Sequence, residues 1–265
     1  MNPNEPYHVV GRGNIPLVAS IPHSSLHIPE SLRESFLVSP EDLRRELLLV
    51  TDRFTDELYA LPTGNMSGIA VVFDVCRVIV DPERFEDDTQ EANAAFGRGV
   101  VYVKTLEGKP LRKVSFDDRE SLLSIFYRPF HEALNAQVEN ALNRFGSCLF
   151  LDCHSFPSKP LTYESDYKSS LKRPDICIGT DDRHSPDDLV RKVEAYFKSN
   201  GLEVCINNPY QGTLVPTPYY RRNADVSALM IEINRSLYMN EETGQKTDGF
   251  TRTQELVAGL LKIVF

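Results

Sequence analysis

Two histidines stand where an apolar run gives way to a polar loop. His154 follows Cys148-Leu149-Phe150-Leu151, with Asp152 two residues before it. His23 follows Pro16-Leu17-Val18-Ala19-Ser20-Ile21, and His27 comes shortly after. In open α/β sheets, ligands bind beyond the carboxyl ends of the strands. A histidine delivered to such an end is placed to ligate a metal or to move a proton, and Asp152 could orient the His154 ring from behind. The plainer alternative is a polar strand end closed by a turn. A carboxylate, Glu232, interrupts the apolar run Leu229-Met230-Ile231-Glu232-Ile233. A buried carboxylate without a partner is costly. Glu232 must therefore be paired (Arg235 and Arg222 are the cations nearby in sequence), lie close to a metal, or reach solvent at a strand end. Next to a metal it would be placed as a general base.

Catalytic zinc commonly takes three ligands from histidine and carboxylate and leaves a fourth position for water. His23, His27, Asp52, His154 and Glu232 are the candidates for such a set, while His131 and His184 fall in or beside helical segments. The set is scattered, and no HExxH is present. Other chemistries have less support. The chain has no GxSxG, GxGxxG or P-loop. Cys153 adjoins His154, but neighbours at the end of an extended strand point to opposite faces. Arg77, Arg84 and Arg235 lie within or just beyond strand-like runs. Arginine holds carboxylates bidentately, and an ordinary ion pair is the alternative for each.

The elements that must position these residues alternate. Residues 16–21, 70–73, 78–80, 148–151, 175–179, 202–206 and 226–233 read as strands, with a further strand-like piece at 100–103. Ser39-Pro40-Glu41-Asp42 is a helix start, and Leu43, Leu47, Val50, Phe54 and Leu58 continue it as an apolar stripe. On one straight helix Asp52 would lie opposite that stripe, facing water. Thr51 and Asp52 are also good N-cap residues, so the segment is either one helix or two broken at 50–52. Helices are also expected over 119–125, over 129–145 with Gly146 closing it, from Ser185-Pro186 to about 200, and over 251–263. Residues 85–118 form a long polar stretch, which in a compact domain is usually functional or mobile. The alternation predicts one α/β domain over 1–265, with a mostly parallel or mixed central sheet flanked by helices.

The 265 residues carry a formal net charge of -9 without runs of Lys or Arg. That argues against nucleic acid as a partner. It leaves room for a small anionic substrate, because a local arginine pair can override net charge. The five cysteines form no CxxC, which fits reduced thiols and a cytoplasmic setting. The N-terminal residues have no basic and apolar segments of a signal peptide, and no apolar run has the length of a membrane span. Oligomeric state is open.

Several pieces together resemble the N-formylglutamate amidohydrolase family, which is related in fold to zinc carboxypeptidases and aspartoacylase-like enzymes. They run from about residue 15 to 240. They are Ile21-Pro22-His23-Ser24-Ser25 with Ile28-Pro29; Thr51-Asp52 with Asp56-Glu57-Leu58-Tyr59; Arg77, Asp81 and Arg84; Tyr127-Arg128-Pro129-Phe130-His131; Asp152-Cys153-His154-Ser155; Pro174-Asp175-Ile176 with Gly179; Asn208-Pro209-Tyr210 with Gly212; and Glu232-Ile233-Asn234-Arg235 with Leu237-Tyr238-Met239. The resemblance implies a zinc-exopeptidase-like fold of the phosphorylase/hydrolase type. It implies an amidohydrolase that cleaves the N-acyl amide of an acidic amino acid such as N-formyl-L-glutamate. One Zn²⁺ per chain would be held by His23, Asp52 and His154, with Asp152 behind His154. Glu232 would resemble the carboxypeptidase-type base that activates water. Arg77 and Arg84 would anchor substrate carboxylates or polarise the scissile carbonyl, and Asn208 and Tyr210 would line the pocket. The break at 50–52 would let Asp52 start a helix. Two positions depart from the family pattern. Ser25 stands where Gly often follows His-Ser, and Asp81-Pro82-Glu83-Arg84 replaces Asp-x-Asn-Arg, adding the negative charge of Glu83 near the anion pocket. The alternatives are the same metal site acting on another N-acyl amino acid or peptide-like amide, and a member that binds an acidic ligand without turnover.

Overall fold

Strand β4 (Cys148–Phe156) is nine residues long and buried throughout. A strand with solvent on neither face needs apolar or satisfied side chains on both, and its alternation serves two cores. Leu149, Leu151 and Cys153 face one, while Cys148 and Phe150 face the other. The computed structural model, which describes residues 6–59, 67–161, 164 and 172–265, builds the sheet outward from this strand. β1 (Tyr7–Gly11), β2 (Leu17–Ile21), β3 (Ile69–Phe73), β5 (Ile176–Gly179), β6 (Val204–Ile206) and β7 (Val226–Asn234) join it in the order β1-β3-β2-β4-β7-β5-β6. β3, β2, β4 and β7 are mutually parallel, whereas β1 runs antiparallel to β3 and β5 antiparallel to β7. The sheet is thus mixed, as the alternation predicts.

Helices cover both faces. On one face, α5 (Asp187–Ser199) and α6 (Gly249–Val264) pack Val190, Val193, Phe197, Val257 and Leu260 against Leu149, Leu229, Ile231 and Ile233. On the other, α4 (Arg128–Phe145) packs Phe130, Leu134 and Val138 against Val18, Val71, Phe73 and Phe150. α3 (Phe116–Leu122) leads into α4 through a π-helical turn at Leu123–Tyr127, so the two expected helices are one run with a local bulge. Gly146, at φ 76°, closes α4 by turning left-handed after its last residue.

The segment after Ser39 is broken, not straight. α1 (Pro40–Val50) is capped by Ser39, whose hydroxyl accepts the Asp42 N–H. The chain then turns through Thr51–Phe54 before the short α2 (Thr55–Leu58). Asp52 lies in the turn and does not open α2, whose preceding residue is Phe54, at φ 68°. Residues 78–80 are a buried turn and 100–103 an irregular stretch held by isolated bridges, so neither is a strand. Both are apolar because they roof the α4 core, with Val78, Ile79, Val80 and Val100 fully buried. β1 escaped the pattern because it is an edge strand whose residues are half-buried or exposed. Among the described residues, no helix is long and apolar enough to cross a membrane.

Candidate active site

The α4 face of the sheet turns polar toward the carboxyl ends of β4 and β7. Along β4 the side chains facing α4 read Cys148, Phe150, Asp152, His154, and along β7 Glu232 stands directly beside His154 in the ladder. Directly paired residues of neighbouring strands point to the same face, so the ladder itself sets His154 and Glu232 side by side. Cys153 points the other way into the α5–α6 core, where burial raises its thiol well above the ordinary range. His23 follows the end of β2. The Asp52 N–H donates to the His23 carbonyl at 3.0 Å, which ties the turn between α1 and α2 to this end of the sheet.

These elements bring His23, Asp52 and His154 together. One ligand atom from each lies within 4.8 Å of the others, and all three residues are buried. His154 Nδ1 is 3.0 Å from Asp52 Oδ2, and His23 Nδ1 is 3.7 Å from the same oxygen. The far side of each ring meets a carboxylate, with His23 Nε2 at 2.8 Å from Asp81 Oδ1 and His154 Nε2 at 3.0 Å from Asp152 Oδ1. Each ring therefore has an acceptor for an Nε2–H, so that both Nδ1 atoms, turned toward Asp52, would be free to hold a metal there. His23 Nδ1 is buried and has no hydrogen-bond partner. Such an atom is costly unless something coordinates it. The donor set of two imidazoles and a carboxylate suits Zn²⁺.

Charge is balanced by buried arginines. Arg235 donates from Nη2 to Asp52 Oδ1 at 2.8 Å and from Nη1 to the Leu49 carbonyl at 2.7 Å. Burial alone would raise Asp52, yet the His154 ring bonded to it, the His23 ring beside it and the Arg235 charge hold it well below the usual carboxylate range. Asp81 is fully buried, and its Oδ2 accepts from Arg77 at 2.7 and 3.1 Å and from the Tyr102 hydroxyl at 2.8 Å. Against the effect of burial, Arg77 and His23 hold it well below its ordinary value. Burial opposes ionisation of Glu83 as well, but the His154 ring 3.0 Å away brings it down to about 2. Glu83 in turn, added to burial, pushes Asp152 up to about 6. His154 is lifted well above the ordinary imidazole range, because Glu83 and Asp152 outweigh its burial.

Glu232 is the exception. It is 7% exposed, its Oε2 has no partner, and burial pushes it up to about 8. Neither Arg235 nor Arg222 pairs with it; Arg235 is engaged by Asp52. A cavity of about 390 Å³ opens in front of these groups. Its wall includes His23, Asp52, His154 and Glu232, the arginines Arg77, Arg84, Arg98 and Arg235, and Tyr210. Arg77 reaches the cavity while committed to Asp81 and to the Val50 carbonyl. Arg84 lies 3.5 Å from Asp81 and 3.4 Å from Glu91. Tyr210 is braced by Glu164 and Arg173, and Arg173 itself donates to Glu164 at 2.8 Å. Asn208 is exposed and is not part of the wall, which its neighbours Pro209, Tyr210 and Gln211 form instead. His27 is exposed and outside the cluster. His184 is buried with both ring nitrogens engaged by backbone groups, and His131 meets the Pro82 carbonyl.

Sequence reasoning gave Asp81 and Arg98 no role in the site, and it offered Arg235 and Glu83 without the contacts to Asp52 and His154 that they make. Asp81 had a signal in its i,i+4 spacing from Arg77. Arg98 had none, because it lies in a Gly-flanked loop whose burial depends on distant contacts.

A family model for N-formylglutamate amidohydrolase matches residues 15–239. An N-formylglutamate deformylase from Pseudomonas putida is 25% identical over 252 residues, covering 92% of this chain and 88% of that one. The crystal structure of an N-formylglutamate amidohydrolase from Ralstonia eutropha superposes with a TM-score of 0.83 at 28% identity, covering 98% of this chain and 97% of that one. A gene product from Agrobacterium tumefaciens shares the fold, with a TM-score of 0.62 at 17% identity over 97% of this chain and 95% of that one.

Proposed function

The chain belongs to the N-formylglutamate amidohydrolase family, and from that premise we propose that its cavity hydrolyses the N-formyl amide of an acidic amino acid, with N-formyl-L-glutamate as the first substrate to test. The reading includes one Zn²⁺ per chain, with His23, Asp52 and His154 as the residues that would hold it. The observation that carries it is the convergence of His23 Nδ1, His154 Nδ1 and Asp52 Oδ2, each ring being held on its far side by a carboxylate. When bound, the metal supplies Lewis acidity to the acyl oxygen and lowers the pKa of water toward ~7.

The chain's own residues do the rest. Asp81 and Asp152 fix the tautomers of His23 and His154. Arg235 keeps Asp52 ionised. Glu232 lies beside His154 in the ladder, with a free oxygen in the cavity wall. It takes the proton of the attacking water and passes it to the departing amine. Glu232 would ionise more readily beside a divalent cation held by the triad, against the burial that raises it. Arg77, Arg84 and Tyr210 receive the substrate's carboxylates and the charge that builds on the acyl oxygen.

The test is metal analysis of the purified protein, combined with release of formate from N-formyl-L-glutamate and of acetate from its N-acetyl analogue. Zinc near one per chain and formate release are expected. His154→Ala should lose both. A metal-free His154→Ala protein with full activity would sink the reading.

A further inference from the structure

Arg77, Arg84 and Arg235 share the cavity wall but differ in how much of each fork is already used. Arg77 gives Nε and Nη2 to Asp81 and Nη1 to the Val50 carbonyl. Arg235 gives Nη2 to Asp52, Nη1 to the Leu49 carbonyl and Nε to the Ser155 hydroxyl. Among the described residues, the Arg84 side chain makes a single hydrogen bond, from Nη1 to Glu91 Oε1 at 3.4 Å. Its Nε is buried without a partner, 3.5 Å from Asp81 Oδ2, an oxygen that already accepts from Arg77 and Tyr102. Its Nη2 bonds to no described residue and, unlike Nε, is not sealed from solvent, on a side chain 24% exposed in the wall. Of these three arginines, Arg84 is the one with a donor left for a ligand.

Glu91 is what grips that side chain. It is 8% exposed and lies outside the cavity wall, so its route to the cavity runs through Arg84. Its Oε1 also accepts the Asn93 N–H at 3.0 Å and Asn93 Nδ2 at 3.1 Å. The first of these bonds caps the 3-10 turn Ala92–Phe96. The Arg98 N–H in turn donates to the Asn93 carbonyl at 3.0 Å. The carboxylate is therefore fixed by its own backbone before it meets the arginine. The other end of Arg84 is held too, because its carbonyl accepts from the Tyr127 hydroxyl at 3.0 Å. Without Glu91 the fork would regain its rotamers, and Asp81 would be the acid left beside it.

Resting on the reading of the cavity as the site for an anionic substrate, we propose that Glu91 is a positioning residue, which holds the Arg84 fork so that Nη2 meets a substrate carboxylate. Two effects of Glu91 oppose each other. Its charge disfavours an anion at Arg84, and its grip favours one, because a long side chain fixed in advance loses no rotamer freedom when the ligand arrives. The grip is the larger effect in this proposal, since a released fork has Asp81 to fall onto. A contact made equally before and during the reaction shows in KM and not in kcat.

The experiment measures kcat and KM for N-formyl-L-glutamate and, by calorimetry, the Kd of glutarate, which has two carboxylates and no acyl group. The proteins are wild type, Glu91→Ala, Glu91→Gln, Arg84→Met and the double variant Glu91→Ala/Arg84→Met. Glu91→Ala should raise KM and the glutarate Kd by about tenfold, with kcat within about twofold of wild type. Glu91→Gln keeps an acceptor for Arg84 and for the Asn93 N–H, and should recover both constants to within about threefold. In the Arg84→Met background, Glu91→Ala should add less than about twofold, because the two residues act as one unit. Unchanged or lowered constants in Glu91→Ala would make Glu91 a competitor for the arginine's charge and overturn the proposal. So would a Glu91→Gln as weak as Glu91→Ala, or the same loss with and without Arg84. If Glu91→Ala does not fold, Glu91→Asp decides, since it keeps the charge but draws the oxygen back from Arg84; a glutarate Kd equal to wild type overturns the proposal. Arg84→Met that binds glutarate as wild type does would overturn it as well. Failure of the amidohydrolase reading shows separately, as wild type that binds glutarate and releases no formate, and the glutarate constants then decide the role of Glu91.

Discussion

Replacing Glu232 by glutamine should stabilise the metal-free protein while abolishing turnover. Burial raises the Glu232 carboxyl from 4.5 to about 8. A carboxyl with a raised folded value takes up a proton on folding. Its contribution is present at low pH and is lost as pH climbs from the unfolded value toward the folded one. Between those values the wild type loses stability at up to ~1.4 kcal/mol per pH unit from this group alone. At pH 7 the accumulated loss is about 3 kcal/mol. A glutamine of the same shape carries no such slope. For a chain of 265 residues, 3 kcal/mol corresponds to about 6 °C in melting temperature. The assay is thermal unfolding of both proteins in chelator from pH 5 to 8, where the gap should widen from about 1 to about 4 kcal/mol. With zinc restored, the variant should keep its metal and lose about 10²–10⁴-fold in kcat. A gap that stays constant with pH would refute the claim that this carboxyl is buried without a partner, and normal turnover would remove it as the base.

Arg235→Met should cost about 3–5 kcal/mol by leaving Asp52 as an uncompensated buried charge, read as a lower denaturant midpoint in chelator; a loss under about 1 kcal/mol would place Arg235 outside the charge balance. Asp81→Asn weakens the acceptor that orients His23, so zinc affinity in a competition titration should drop about 10- to 100-fold. Asp52, Asp81 and Glu83 have lowered folded values, so the stability they contribute is present above their unfolded values and lost as pH falls. The acid limb of the metal-free protein should therefore soften in Asp81→Asn, and an unchanged limb would count against the Asp81 network.

The sheet was legible because its strands are apolar runs bounded by turn residues, and β4 and β7 carry their polar side chains where the runs end. Histidines at the ends of β2 and β4 pointed to the sheet edge at which the cavity opens. What the pattern misread are residues 78–80 and 100–103, whose apolar character comes from roofing a core, a tertiary cause that mimics strand composition. Asp52 illustrates the same limit from the other side. Its helical phase pointed to water, and only the turn at Thr51–Phe54, tied to the His23 carbonyl, brings it inward. The long 85–118 stretch carries Arg98 and Tyr102 into the cavity wall through contacts that no local spacing records.

The direct pairing of His154 with Glu232 across β4 and β7 divides the molecule into parts that can change at different rates. Two parallel strands in the middle of a sheet cannot slide without turning their side chains to the wrong face, so the distance between His154 and Glu232, the proposed metal ligand and base, is inherited with the fold. Glu83 and Arg84 hang instead from a loop pinned at Pro82 and Arg84. Substitution there would alter the cavity wall while His154 and Glu232 stay where the ladder puts them. A library confined to residues 83 and 84 should therefore yield altered preferences in proteins that still fold and still bind metal.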